Sequence, residues 1–301
     1  MIKCDIDAND VIKYLSVIDN ISLSNVTMEE KHKPRFLFRG ESMLHERKIR
    51  PKYLRPLEGK SVHSDSCYLE DELKIITQFR DEAYAFLPNV SKDDFRTWRE
   101  YAQHYGVPTK LLDLTSNPLV ALYFACKYNL DEDGIVWMIN WQNYHQATNR
   151  KDINGKKLSE SKLSVSDTVD LAAQGNPILI NPVIYQPCYI DTRMSAQSSY
   201  FMLWGLNNVD LITQIGCENV KEAEYRPLKN DTGGIVKYND STILYYFIID
   251  KEQKQRNILR LSRMGINEKT LFPGLDGVGK YIDSINKYTE QEHLDRFFGT
   301  M

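Results

Sequence analysis

The sequence has few cysteines and none of the spacings in which cysteines bind zinc. Its five cysteines lie far apart along the chain, and no two of them form a Cys-x-x-Cys pair. An odd number of scattered thiols argues against a disulfide framework and against a structural zinc site. We therefore expect reduced cysteines, no bound metal and a cytoplasmic location.

Long apolar segments and a strong net charge are also lacking. No apolar run reaches the roughly 18 to 20 residues that a membrane-spanning helix needs, and the N-terminal residues lack the apolar core of a signal peptide. The formal net charge of the 301 residues is −3, so no overall field attracts nucleic acid or an anionic membrane. We therefore expect no membrane association.

Several enzyme motifs are absent as well. There is no Gly-x-Ser-x-Gly sequence of the kind that carries a hydrolase nucleophile. The glycines of residues 271–280 match neither the dinucleotide-binding pattern nor the Walker phosphate loop. A metal-dependent nuclease or hydrolase would need clustered ligands, and only His104 and Asp113 lie close together in the centre of the chain.

The segment of residues 101–126 is the most informative part of the sequence. It predicts a polar turn, a short buried strand over residues 111–114, and a helix capped by Asn117 with Pro118 in its first position. Residues 119–126 are all apolar or aromatic, so this helix should be buried on nearly every side. Polar side chains flank the strand and should converge on a ligand; they are Gln103, His104, Asp113, Thr115 and Ser116. The structural alternative is a capped helix with a buried acid that bonds to backbone.

A second informative segment, residues 35–40, reads as a strand that ends in Arg39 and Gly40. The glycine would permit a positive φ or a close backbone approach. Arg39 has two compatible interpretations: an ion pair with Asp113 or Glu41, or a guanidinium that binds a phosphate or carboxylate.

The remaining pattern favours an α+β fold, with a helical N-terminal part packed on a mixed or antiparallel sheet. Residues 141–171 are expected to form a polar surface excursion with one helix. Helices are predicted over residues 10–18, 68–87, 94–104 and 254–264, and strands over residues 134–140, 178–185, 189–197, 198–205 and 241–250.

Three motifs resemble the FRG domain, a family named for its aromatic-Arg-Gly motif. They are Phe-Arg-Gly at residues 38–40, Gln-His-Tyr-Gly-Val-Pro-Thr-Lys-Leu-Leu-Asp at residues 103–113, and Asn-Pro-Leu-Val-Ala-Leu-Tyr-Phe-Ala at residues 117–125. Residues 193–197 resemble a later Arg-x-x-x-Gln element and residues 271–273 a closing helix entry, although Ser199 stands where the family usually has glycine. The resemblance implies one domain over residues 1–301, with a core of about 34–283, a short N-terminal helix and a C-terminal helical tail.

A weaker likeness is to the layout of the ADP-ribosyltransferases, enzymes that break the nicotinamide–ribose bond of NAD. It implies NAD as substrate, a protein or nucleic-acid acceptor, and a bacterial toxin or phage-defence role. Arg39 would hold the diphosphate, Thr115 or Ser116 would support the ribose, and Gln197 would take the place of the catalytic glutamate. His104 would act as a hydroxyl donor or general base, or would merely cap the turn. Gly40, Gln103, Tyr105, Asp113 and Ser116 would complete the binding site.

The glutamine at position 197 leaves two functions open. Breaking the nicotinamide–ribose bond builds positive charge on the sugar, which a carboxylate stabilises better than a neutral amide does. The chain is therefore expected to be either a transferase with altered chemistry or a non-catalytic module that senses a nucleotide or ADP-ribose.

Overall fold

The computed structural model of the chain describes residues 11–23, 34–44, 48–55, 71–148, 164–222 and 242–298, with side chains up to residue 286. The helices are α1 (Val11–Leu23), α2 (Glu72–Ala83), α3 (Phe95–His104), α4 (Pro118–Lys127), α5 (Trp141–Thr148), α6 (Val165–Ala173), α7 (Thr192–Ala196), α8 (Leu211–Ile215), α9 (Lys251–Arg263), α10 (Glu268–Leu271) and α11 (Leu275–Phe298). The strands are β1 (Phe36–Glu41), β2 (Leu111–Thr115), β3 (Gly134–Asn140), β4 (Val183–Tyr185), β5 (Ser199–Leu203), β6 (Val220–Glu222) and β7 (Leu244–Ile249).

These strands form a mixed sheet in the order β4-β5-β2-β1-β3-β7-β6. Every neighbouring pair is antiparallel except β6 and β7, which run parallel. Helices cover both faces: Phe36 and Phe38 of β1 pack with α1, α4 and α9, while Leu37 packs on the other side with α5 and α8. The expected α+β class with helices on a mixed or antiparallel sheet is confirmed. The likeness to the ADP-ribosyltransferase layout stays a prediction.

Helix α4 begins as the sequence predicted, and its burial is confirmed. The Asn117 side chain accepts a hydrogen bond from the Leu119 N–H, and Pro118 occupies the first turn. Six of its ten residues are buried, because the helix lies directly across strand β1. Gly40 permits this contact, since a Cβ atom at that position would lie 1.8 Å from the Ala121 carbonyl oxygen. The close-approach interpretation of Gly40 is therefore the correct one.

The sheet opens between its two central strands. Strands β1 and β2 pair through one register position, Phe38 opposite Thr115, whereas β1 and β3 pair from Phe36–Asn140 to Glu41–Ile135. Beyond Phe38 the two strands diverge. The Arg39 side chain bridges the opening, because its Nη1 donates a hydrogen bond of 2.8 Å to the Asp113 carbonyl oxygen of β2.

Three sequence predictions about elements were wrong. Residues 189–197 are not a strand, because the Asp191 side chain accepts a hydrogen bond from the Arg193 N–H and starts helix α7. Of residues 178–185, only the last three form a strand. Residues 141–171 contain two helices rather than one, and Tyr144 of α5 is fully buried, so that helix belongs to the core. Residues 149–163 of that segment lie outside the described residues.

The structure gives the state of three cysteines and the character of the helices. Cys126, Cys188 and Cys217 are free thiols, and the last two are exposed. Cys4 and Cys67 lie outside the described residues. Burial raises the pKa of the Cys126 thiol to about 12, which keeps it protonated and inert. Across the described ranges, no helix has the length and apolar character to cross a membrane.

Candidate functional site

The opening between β1 and β2 continues into a cleft of about 350 Å³. This volume lies at the lower end of the range of small-molecule sites, roughly 300–1,000 Å³. The sequence-predicted residues that line it are Arg39, Gly40, Gln103, His104, Asp113, Thr115 and Gln197. The others are Phe38, Leu114, Val120, Ala121, Phe124, Arg193, Met194, Ser199, Phe201 and Phe272.

The end of helix α3 delivers Gln103 and His104 to the cleft. Gly106 has a φ of +81° and lies just past the helix, and the Val107 N–H bonds to the Ala102 carbonyl at 2.9 Å. Together with the 3.0 Å bond from Gly106 N–H to the Gln103 carbonyl, this is a Schellman motif, which needs a left-handed residue at that position. The Gly-Val-Pro turn thus ends α3 one residue after His104 and fixes the direction of both side chains.

Two side chains, Thr109 and Gln103, hold the Asp113 carboxylate in place through consecutive hydrogen bonds. The Thr109 hydroxyl donates to Gln103 Oε1 at 2.6 Å, so the Gln103 amide must present its NH₂ group to Asp113 Oδ2, 2.7 Å away. Thr109 is itself fixed, because its oxygen accepts the Leu111 N–H at 3.0 Å. Although Asp113 is exposed to solvent, its orientation is therefore set, and its other oxygen accepts no hydrogen bond from the described residues.

Arg39 has a structural role in addition to its place in the cleft wall. Its Nε donates to Glu41 Oε1 at 2.9 Å, so Glu41 is the ion-pair partner that the sequence left open. Glu41 is buried and also accepts from Arg55 Nη2 at 3.1 Å and from Trp137 Nε1 at 3.3 Å. Burial, and then the neighbouring Arg39 guanidinium, lowers the pKa of Arg55. Arg39 is thus held by the buried Glu41 and the Asp113 carbonyl, and its Nη2 forms no hydrogen bond with the described residues.

Thr115 and Gln197 are joined to one another rather than standing free. The Thr115 hydroxyl donates to the Gln197 carbonyl oxygen at 2.6 Å and accepts the Asn117 N–H at 3.0 Å. The Gln197 side-chain amide donates to the Leu271 carbonyl oxygen at 3.1 Å. Gln197 caps helix α7 just before β5, so it was wrong to place it on a strand. These contacts tie β2, α7 and the last residue of α10 into one wall of the cleft.

Sequence reasoning omitted Arg193 and the aromatic residues from the candidate site. The Arg193 guanidinium lies over the Phe272 ring, 5.9 Å from its centroid, and Phe272 meets Phe124 edge to face at 6.2 Å. Among the described residues, no carboxylate forms an ion pair with Arg193. The sequence could have indicated all three residues, because each lies in a motif of the family resemblance. Arg193 belongs to Arg-x-x-x-Gln, Phe272 to Leu-Phe-Pro, and Phe124 to the motif of α4.

Of the remaining predicted residues, His104 lines the cleft, whereas Tyr105 and Ser116 do not. His104 Nε2 lies 3.4 Å from Asp191 Oδ2, and Asp191 also caps α7. Tyr105 is 68% exposed and packs edge to face on His104 outside the cleft lining. Ser116 is also outside the lining, and its N–H bonds to the Ser198 carbonyl oxygen. The structure thus brings seven of the nine predicted residues together and leaves Tyr105 and Ser116 at the margin.

The cleft is chemically suited to an anion attached to a planar group. Its lining carries two guanidiniums and one carboxylate, and a stacked arginine keeps its N–H edge free for a phosphate. The aromatic pair supplies an apolar surface at the same end. Over the part of the chain that the structure describes, no group of three or more His, Cys, Asp or Glu side chains is arranged to hold a metal ion.

Comparison with protein families supports the resemblance that the motifs indicated. Residues 34–134 match the family model of the FRG domain, so the chain contains an FRG domain. The matched range includes Arg39, Gln103, His104 and Asp113, whereas Arg193, Gln197 and Phe272 lie outside it. The expected extension of the domain to residue 283 stays a prediction. Searches of curated proteins and of solved structures found no match.

Proposed function

We propose that the cleft of this FRG domain binds a phosphate-bearing nucleotide, such as ADP, ADP-ribose or NAD, with the phosphate at Arg193. The observation that carries the proposal is the guanidinium of Arg193, which lies beside an aromatic pair in a cleft and has no carboxylate partner among the described residues. An arginine without a carboxylate partner attracts an anion. Arg193 and Lys127 both lie over the Phe272 ring, so the surface offered to a base is Phe124, which lines the cleft next to Phe272.

Arg193 supports this proposal better than Arg39 does. Arg39 already donates to Glu41 and to the Asp113 carbonyl, so two of its five N–H donors and its ion-pairing charge are used within the fold. Its remaining Nη2 can contact a second phosphate oxygen, which would suit a diphosphate. Since removing Arg39 would also unbalance the buried Glu41, a binding test on Arg39 would mix affinity with stability.

Titration calorimetry with ADP, ADP-ribose and NAD tests the proposal. We expect Arg193→Gln to weaken binding at least about tenfold, since a hydrogen bond to a charged group contributes about 1.5–3 kcal/mol. Arg193→Lys should retain part of the affinity, because it keeps the charge and loses the planar fork. The control is Arg256→Gln, at an exposed position of α9 outside the cleft lining. Unchanged affinity in Arg193→Gln, or no binding of any of the three nucleotides, would refute the proposal.

Cleavage of NAD is the second candidate function, and the Asp113 carboxylate favours it. The sequence assigned the charge-stabilising place to Gln197, but that amide is engaged by the Leu271 carbonyl. Asp113 supplies the negative charge that a ribosyl cation needs. In the proposed step, the bond from ribose C1′ to the nicotinamide nitrogen breaks, and the electron pair leaves with nicotinamide. An acceptor hydroxyl then attacks C1′, and His104, oriented by Asp191, takes its proton.

Nicotinamide release from labelled NAD distinguishes this enzyme from a binding module. If the protein is catalytic, Asp113→Asn should lower the rate by about 100-fold or more. If NAD binds and no nicotinamide appears with water, protein or nucleic acid as acceptor, the cleft is a sensor. A toxin or phage-defence role belongs to this second proposal, because it derives from the resemblance alone. The cytoplasmic location expected from the cysteine pattern is part of both proposals.

A further inference from the structure

We infer that the cleft selects ribonucleotides over deoxyribonucleotides, and that Asp113 makes this distinction by accepting the ribose hydroxyls. The inference rests on the proposed nucleotide function and names its substrate class more narrowly. It starts from an apparent conflict: a cleft built for an anion also presents a carboxylate. A carboxylate repels phosphate, so its fixed presence calls for a hydrogen-bond donor on the ligand.

The Asp113 carboxylate is positioned by other side chains rather than left to rotate in solvent. Thr109 fixes Gln103, and Gln103 fixes one carboxylate oxygen, through bonds of 2.6 and 2.7 Å. Thr109 is fully buried, so the start of this chain is rigid. A carboxylate held in one orientation with an open oxygen accepts a hydroxyl or a vicinal diol well, because little rotamer freedom is lost on binding.

Asp113 and Arg193 offer two chemically different contacts to one ligand. Asp113 and Thr115 are two residues apart on β2, so they share a face and lie about 7 Å from each other. Thr115 bonds to the carbonyl of Gln197, the residue that ends helix α7, and α7 carries Arg193. Both Asp113 and Arg193 line the cleft, and among the described residues they form no ion pair with each other. A ligand can therefore place a phosphate against Arg193 and its ribose hydroxyls against Asp113.

The other donors in the cleft do not explain the carboxylate. Arg39 reaches the backbone carbonyl of Asp113 and the side chain of Glu41, not the Asp113 carboxylate. His104 pairs with Asp191. Among the described residues, the hydrogen-bond partner of the Asp113 carboxylate is Gln103, a neutral amide. Arg55 and Asp113 attract each other at longer range, but among the described residues no cation forms an ion pair with the Asp113 carboxylate, so the carboxylate is available to a ligand.

Calorimetry with ADP, 2′-deoxy-ADP and 3′-deoxy-ADP tests the inference. We expect ADP to bind at least about tenfold more tightly than one or both deoxy forms, as for a hydroxyl bonded to a charged acceptor. In Asp113→Ala this preference should vanish. The same variant should bind 2′-deoxy-ADP at least as tightly as the wild type does, because the repulsion of the phosphates is removed. A variant that was merely misfolded would lose all three ligands.

The outcomes separate the two levels of the proposal. Equal affinity of the wild type for ADP and both deoxy forms would overturn the inference and leave nucleotide binding intact. Loss of 2′-deoxy-ADP binding in an Asp113→Ala variant that unfolds in urea as cooperatively as the wild type would also overturn it. No binding of any of the three by the wild type would remove the proposed function and the inference together. Asp131→Ala, an exposed acid in the loop before β3, is the control and should keep the wild-type preference.

Discussion

At the scale of single residues, the arginine that names the FRG motif is partly a structural residue. Arg39 satisfies the Asp113 carbonyl where β1 and β2 diverge, and it shares the buried Glu41 with Arg55. Arg193, by contrast, makes no ion pair with the described residues and is the better candidate for a ligand contact. A motif arginine can therefore hold a site open while another arginine binds the ligand.

A second buried ion pair stabilises the region beneath the cleft and yields a pH prediction. Burial acts to raise the pKa of Glu72, but the Arg99 guanidinium and the Lys110 N–H outweigh it, so this pKa lies below its ordinary value of 4.5. The two Glu72–Arg99 bonds are 2.7 and 2.8 Å long. The resulting stability is fully present above pH 4.5 and is lost as the pH falls through the lowered pKa.

We predict that Glu72→Gln lowers the free energy of unfolding at pH 7 by about 3–5 kcal/mol, because Arg99 is left buried without a charge partner. The difference from the wild type should shrink below pH 4.5. Urea denaturation across pH 3 to 7 measures both effects. Glu82→Gln, at an exposed position of the same helix, should change the free energy little. A Glu72→Gln deficit that grows with acidity would contradict this account.

At the scale of elements, the contact between β1 and α4 positions the cleft. Helix α4 crosses β1 at Gly40 and thereby brings Val120, Ala121 and Phe124 to the cleft wall. The sequence predicted both elements, because the helix has a clear cap and an all-apolar body, and the strand a continuous apolar start.

We predict that Gly40→Ala destabilises the protein by about 1–3 kcal/mol, the usual cost of overpacking. The added methyl group would meet backbone atoms of α4, which cannot rotate away. The measurement is the free energy of unfolding in urea. Gly279→Ala is the matched control, since a Cβ there meets no atom within 4 Å and alanine favours the helix by up to about 1 kcal/mol. Equal stability of the two variants would refute the close-contact account.

Short elements were the part of the fold that sequence patterns could not predict. Helix α7 has five residues, and its start depends on one side-chain bond from Asp191, which periodicity does not detect. Strand β4 has three residues, and it forms the edge of the sheet, where it pairs with β5 alone. Longer elements with a strong pattern, such as β3 over Gly134–Asn140, were predicted with the correct bounds.

At the scale of the whole molecule, the cleft is assembled from distant parts of the chain. Arg39 comes from the first strand, Asp113 from the second, Arg193 from α7 and Phe272 from the segment after α10. Seven of the nine predicted residues line the cleft, because they lie on the adjacent strands β1 and β2 or at the ends of helices α3 and α7. Sequence patterns did not identify Phe124 and Phe272 as cleft residues. Their position depends on which side of the sheet the late helices cover, and that is set by tertiary packing.

We predict that the fragment of residues 34–134, the range of the family match, does not fold by itself. It ends at the first residue of β3, so β1 would keep one register pair, Phe38 with Thr115, and β2 would lose β5. Circular dichroism during urea titration should show a cooperative transition for residues 1–301 and none for the fragment. A cooperative transition of the fragment would show that the later strands are dispensable.

The most direct test of the central claim is a crystal structure of the protein with ADP. We expect phosphate oxygens within about 3 Å of the Arg193 guanidinium and a ribose hydroxyl within the same distance of the Asp113 carboxylate. ADP bound elsewhere on the protein, or bound in the cleft with its phosphates away from Arg193, would contradict the account.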